Sequence, residues 1–442
     1  MHQLLTLGSP LKTANGQTIS IERFLGGGGQ GEVYQVSVNG QPCALKWYFP
    51  EQATAEQRQA LMELIRKGAP GTGFLWPMDL IEAPGTPGFG YLMPLREPRF
   101  HGIVDLMKRR IDPDFRALTL AALQLAHAFL ALHAQGLCYR DISFGNVFLD
   151  PATGEIAVCD NDNVAIDGND ASGILGTPRF IAPEVVRGEV RPGTRTDRFS
   201  LAVLLFYLFH IHHPLEGKKE AEIKCFDLPA MTRLYGTEPC FIFDPADDRN
   251  RPVPGLHDNA LAYWPIYPEF LREAFTRAFT SGLHDPDARV GESEWRVALA
   301  RLLDGIHYCG HCAAENFHDP NAGSPAICWA CQQPLVLPLR LRWQDPQSGA
   351  PGRRAVLLNH DTRLYGHHLD PHRRPYDFGA PLAEVVRHPA DPGRWGLKNL
   401  GSDKWVMTNP DGALRDVEPG RSAGLAAGVR IDFGQVSGVV EG

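Results

Sequence analysis

The chain has 442 residues, 43% hydrophobic and 21% charged, and its 43 basic and 51 acidic residues give a formal net charge of −8. That length exceeds what one hydrophobic core usually serves, so two or three domains are expected. No basic stripe marks a nucleic-acid binder. The longest apolar run, residues 201–209, falls short of a bilayer span, and no basic segment followed by an apolar core opens the chain. The expectation is a cytoplasmic protein without a membrane partner.

In chain order, residues 18–25 alternate as a strand, four glycines follow, and residues 31–38 alternate again. Asn39-Gly40 is a two-residue hairpin turn signal, and residues 41–48 read as a third antiparallel strand. Gly26, Gly28, Gly31 and Val33 fit G-x-G-x-x-G-x-V. A dinucleotide-binding fold would need a helix directly after those glycines. The strand pattern found there predicts instead a β-hairpin whose backbone N–H groups cover phosphates. Lys46 follows Val33 by thirteen residues, in Ala44-Leu45-Lys46. Residues 51–67 read as a helix striped by Leu61, Leu64 and Ile65, and residues 90–95 as a further strand.

Residues 115–135 have helical periodicity and meet Gly136 at a C′ position. Asp141 then lies five residues before Asn146, and Asp160, in Asp160-Asn161-Asp162, fourteen after it. Phosphoryl transfer asks a protein for a carboxylate that orients the attacking hydroxyl and for oxygen ligands that hold magnesium against the phosphates. Asp141, Asn146 and Asp160 satisfy that list. Downstream stand Gly176-Thr-Pro-Arg-Phe-Ile-Ala-Pro-Glu184, then Arg195-Thr-Asp197 at the head of an apolar helix, and finally Arg289.

In order and spacing these stretches resemble the protein kinases over about residues 17–305. The resemblance implies that Gly26, Gly28 and Gly31 cover the ATP phosphates, with Val33, Ala44 and Met93 around the nucleotide. Lys46 would touch the α- and β-phosphates, and Glu63 would pair with Lys46, with Glu56 as the alternative. Asp141 would be the catalytic carboxylate; Asn146 and Asp160 would bind Mg2+ (or Mn2+). Asp197 would hold the catalytic-loop backbone, and Arg289 would pair with Glu184. Ser172 and Thr177 are candidate phosphosites, and Arg140 a candidate partner for a phosphorylated segment. Three departures stand out: Tyr139 replaces the usual His, Ser143 replaces a lysine that touches the γ-phosphate, and Asp160-Asn-Asp replaces Asp-Phe-Gly. Asp162 is either a further metal ligand or a hydrogen-bond acceptor. The chain also resembles bacterial kinases encoded beside a von Willebrand A-domain protein and a metal-dependent protein phosphatase, which carry that Asp-Asn-Asp variant. Such partners, and a protein substrate, are what this resemblance implies.

Cys309, Cys312, Cys328 and Cys331 give C-x2-C-x15-C-x2-C. Two short turns each supplying a thiolate pair make a tetrahedral zinc site, and in a reducing compartment this spacing points to structural zinc rather than disulfides. His311 reads as a bystander. Beyond Pro338, short alternating segments between Gly, Pro and Asp turns predict a β-sandwich. Trp395-Gly-Leu-Lys-Asn-Leu-Gly-Ser402 with Asn409 resembles the late strands of forkhead-associated domains, although Tyr365-Gly366-His367 stands at their early Gly-Arg position. The expected class is α+β: a bilobal protein-kinase fold over 1–305 (lobes 17–96 and 97–305), a four-cysteine zinc ribbon at 306–336, and an all-β, forkhead-associated-like sandwich at 337–442. The expected function is an ATP- and Mg-dependent protein kinase for Ser or Thr. A nucleotide-binding pseudokinase scaffold is the alternative, and nucleic-acid binding through the zinc ribbon comes third.

Overall fold

The computed structural model describes residues 4–8, 10–13, 16–83, 85–168, 175–319, 321, 327–344, 350–370, 376 and 378–442; Ser172 lies outside them. The chain divides into two compact units, 1–263 with 273–295, and 264–272 with 296–442.

The first unit opens with β1 (Pro10–Thr13), β2 (Thr18–Gly27), β3 (Gly31–Val38) and β4 (Gln41–Tyr48), followed by α1 (Ala55–Lys67), β5 (Asp79–Glu82) and β6 (Gly90–Pro94). The strands close into a barrel in the order β1-β2-β3-β4-β6-β5, β1 pairing with β5. The Asn39-Gly40 turn forms as expected, both residues at positive φ. Helix α1 starts at Ala55 because the Thr54 hydroxyl accepts from the Gln57 amide and caps it. Side chains alternate along a strand, so Ala44, Lys46 and Tyr48 share one face of β4. Register adds Val33 opposite Lys46 on β3, and Met93 and Tyr91 opposite Ala44 and Lys46 on β6. One face of the barrel thus gathers the residues expected around a nucleotide. Ala44, Tyr48, Leu61, Tyr91 and Met93 form one buried cluster, with Val33 against it.

The chain then forms β7 (His101–Gly102), α2 (Ile103–Met107), α3 (Phe115–Ala134), β8 (Leu137–Cys138), β9 (Val147–Leu149), β10 (Ile156–Val158), β11 (Ala165–Ile166), α4 (Pro183–Val186) and α5 (Thr194–His210). Asp114 caps α3 by accepting from the Ala117 amide. By length and composition α3 could span a membrane; here most of it is buried. Beyond its polar first turns, which carry Arg195, Asp197 and Arg198, helix α5 is almost wholly apolar and buried, as a helix in the middle of a core must be. The small sheet β10-β9-β7 and the pair β11-β8 hold the two loops that carry Asp141 and Asp160.

In the second unit, strands Ile306–Tyr308 and Glu315–Phe317 form a hairpin beside the four cysteines. Among the described residues, ten further strands make a six-stranded and a four-stranded antiparallel sheet. Leu341, Trp343, Ile431 and Val440 of the first and Leu364, Val385, Leu397 and Ala423 of the second belong to one hydrophobic cluster. Strands Trp405–Thr408, Leu414–Val417 and Ser437–Glu441 were not expected from sequence. Residues Gly366–Leu369 form a helical turn. His367 is buried there among the rings of Tyr365, Tyr376 and Phe378 rather than offered to a phosphate.

Candidate active site

The Asp141 loop is built from below by α5. Asp197, buried in its first turn, accepts from the Tyr139 amide at 2.6 Å and from the Arg140 amide at 2.8 Å. This holds Arg140 at a φ of 71° and turns the chain so that Asp141 follows. Behind it, His133 of α3 bridges Asp197 (3.2 Å) and Glu292 (2.7 Å). Burial pushes the His133 imidazole down, but hydrogen bonds to both carboxylates, with their charge, carry it up to about 9. Tyr139, fully buried, donates to the Cys159 carbonyl, and so ties the catalytic loop to the residue before Asp160.

Asp141 accepts from Asn146 Nδ2 at 3.0 Å and from Thr177 Oγ1 at 2.6 Å. Asn146 also donates to the Asp141 carbonyl at 2.8 Å. Its amide nitrogen is therefore committed, and Oδ1 is the atom left to act as a ligand. The Asn146 carbonyl accepts from the Cys159 amide at 2.8 Å, bringing the two loops side by side. Asp160 follows at a left-handed φ of 47°, its side chain 41% exposed, 3.5 Å from Lys46 Nζ. Loss of hydration in the cleft and the charges of Asp162 and Asp141 raise the Asp160 carboxyl against the pull of Lys46. Asp160, the partly exposed carboxylate of this set, suits a bound cation.

The glycine hairpin forms. Gly28 N–H bonds the Gly31 carbonyl at 2.9 Å, and a Cβ on Gly31 would stand 2.1 Å from the Trp47 carbonyl oxygen. Lys46 is buried, and its Nζ bonds Asp162 at 2.8 and 3.1 Å and Gln30 of the hairpin at 2.9 Å. Glu63 is a correction. Its carboxylate accepts from Gln59 along the same face of α1, and neither it nor the exposed Glu56 meets Lys46. The helical phase of α1 turns Gln57 inward instead, where Nε2 donates to the Tyr48 hydroxyl at 3.0 Å. Sequence reading thus missed Gln30, Gln57, Tyr48 and Tyr91, while Asp162 takes the hydrogen-bond acceptor role that was one of its two expected roles. The alternation of Lys46 with Tyr48 was the available signal. The Arg140 guanidinium bonds the Asn163 carbonyl. Glu184 and Arg289 pair as expected through two 2.8 Å bonds.

In the second unit the four cysteine sulfurs lie within 4.8 Å of one another and none is disulfide-bonded. Cys309–Cys331 and Cys312–Cys328 are 3.7 and 3.6 Å apart. A sulfur tetrahedron with metal bonds of about 2.3 Å has edges of about 3.8 Å, so the set fits zinc.

Residues 99–259 match the family of protein kinase domains, so the chain is similar to protein kinases over that stretch. Among named relatives, the DNA damage-responsive serine/threonine-protein kinase RqkA of Deinococcus radiodurans is 29% identical over 308 residues, 62% of this chain and 45% of that protein. Protein kinase YegI of Escherichia coli O157:H7 is 27% identical over 222 residues, covering 47% and 34%. A probable serine/threonine-protein kinase of Zea mays, CCRP1, is 32% identical over 119 residues, covering 26% and 18%. The chain spans less than half the length of each of these relatives.

Proposed function

We propose that the chain is an ATP-dependent protein kinase that phosphorylates Ser or Thr hydroxyls, itself included. One observation carries the reading: Lys46, Asp141, Asn146 and Asp160, far apart in sequence, are linked by short contacts, with Asn146 bonded to Asp141, the Asn146 carbonyl bonded to the residue before Asp160, and Lys46 beside Asp160. Asp141 orients the acceptor hydroxyl and receives its proton, its carboxylate being aimed by Asn146 and Thr177. Lys46 fixes the α- and β-phosphates, and the Gly26–Gly31 hairpin covers them. Asn146 Oδ1 and Asp160 hold magnesium, which neutralises charge on the β- and γ-phosphates. Thr177 serves here as a donor to Asp141 rather than as a phosphosite.

Purified protein with Mg-ATP is expected to phosphorylate itself or a generic Ser/Thr acceptor, and Asp141→Ala to abolish this with an unchanged melting profile. Signal that persists in Asp141→Ala would reject the reading. Ser143, buried where a phosphate-binding lysine is expected, favours the alternative of a nucleotide-binding scaffold. That alternative is the answer if ATP stabilises the protein but wild type transfers no phosphate. The four cysteines are proposed as a structural zinc site and the two sheets as a forkhead-associated-like sandwich. Partnership with a von Willebrand A-domain protein and a metal-dependent phosphatase is tested by pull-down, and recovery of neither removes it.

A further inference from the structure

A lysine that handles phosphates must be held in one rotamer, and a buried ammonium needs a carboxylate beside it. Helix α1 offers none, since Glu63 bonds Gln59, Glu56 is exposed, and the ion pairs of Lys46 are with Asp160 and Asp162. The partner is Asp162, whose side chain is wholly buried. Its two oxygens take four bonds: two from Lys46 Nζ, one from Tyr48 at 2.6 Å and one from Tyr91 at 2.9 Å. Lys46 and Tyr48 project from the same face of β4, and Tyr91 lies directly across from Lys46 on β6. The cradle is therefore made by two neighbouring strands closing on one loop residue. A carboxylate so saturated has no site left for a metal, which decides between the two roles open to Asp162. Gln57 of α1 reaches the cradle without a charge, its Nε2 donating to the Tyr48 hydroxyl at 3.0 Å and to the Asp162 backbone carbonyl at 3.5 Å.

We propose that Asp162 is the positioning residue for Lys46, in the place that sequence reasoning gave to a helix carboxylate, and that the phosphate-binding lysine is thereby held without an ion pair to α1. In a kinase wired this way, rotation of α1 does not switch the lysine on and off. The inference rests on the reading of Lys46 as a phosphate ligand.

The test compares Asp162→Asn, Tyr91→Phe and Glu63→Gln for the KM of ATP, the KM of a peptide acceptor and kcat. Asp162→Asn is expected to raise the KM of ATP by about tenfold or more, as small displacements of a positioning group do, while the acceptor KM stays within about twofold. Tyr91→Phe, which removes one of the four bonds with little change of shape, should shift the KM of ATP in the same direction by less. Glu63→Gln should match wild type. The proposal is overturned if Glu63→Gln is as damaging as Asp162→Asn, or if Asp162→Asn lowers kcat alone with both KM values unchanged, the mark of a smaller folded fraction. Kd for a fluorescent ATP analogue, measured on the same full-length variants, keeps the test separate from the kinase reading. If wild type transfers no phosphate, that reading fails, and a weaker Kd in Asp162→Asn but not in Glu63→Gln still supports this one. Equal Kd values in all three would sink it.

Discussion

His133 shows how a single side chain can support a catalytic loop through the carboxylate that holds it. It is buried between Asp197 and Glu292, and Glu292 is also paired with Arg198 at 3.1 Å. Its imidazole is held up at about 9 from a usual 6.5, so its stabilisation is complete below pH 6.5 and fades as pH rises through 9. Glu292 is affected in the opposite sense. Burial pushes it up, but the bond and charge of His133 bring it down to about 2, so its share is complete above pH 4.5 and is lost as pH falls through 2. A His133→Leu variant should therefore melt well below wild type near pH 6, by about 3–5 kcal/mol, because two carboxylates are left buried with less than their full compensation. The gap should narrow towards pH 9 and above. Melting temperature followed across pH for both proteins checks this, and a gap that does not change with pH would count against a charged His133.

Among the elements, the phosphate-covering hairpin depends on how closely β3 and β4 approach. Gly31 sits where its Cα faces the backbone of the next strand, and a methyl there would meet the Trp47 carbonyl oxygen at 2.1 Å and its carbon at 2.9 Å. Backbone cannot rotate away as a side chain can. Gly31→Ala should therefore cost about 1–3 kcal/mol, typical of forcing extra volume into a packed site. Gly28, at the tip, has nothing within 4 Å of an added Cβ, and Gly28→Ala should leave the melting temperature unchanged. Thermal melts of the two variants without nucleotide separate a packing requirement from a ligand requirement. The same logic explains α1: its apolar stripe, Leu61 and Leu64, is buried as the periodicity requires. Which polar residue then faces Lys46 depends on the helix phase relative to the barrel, and that phase favours Gln57 over Glu63.

For the molecule as a whole, the cysteine set belongs to the same compact unit as the two β-sheets, together with residues 264–272 and 296–305. Metal removal should therefore lower the melting of that unit, because structural zinc supplies folding free energy. One zinc per chain is expected by elemental analysis, and Cys328→Ser should lose it. The stabilisation of the first unit by ATP should persist in that variant. Zinc-free protein that melts as the native protein does would remove the metal from the account.

Residue order alone was enough to find the loop residues Asp141, Asn146 and Asp160, the glycine hairpin, Lys46 and the cysteine spacing, because those chemistries depend on residue type at short, fixed separations. The buried ion pair of Glu184 with Arg289 was legible only through resemblance, and the C-terminal strands only in part. Packing in three dimensions chose which side chain completes each constellation: Asp162 rather than Glu63 beside Lys46, Thr177 on Asp141, His133 beneath Asp197. A charge finds its partner through the angle at which one element packs on another, and that angle comes from contacts spread over the whole core. No local stretch of residues encodes it.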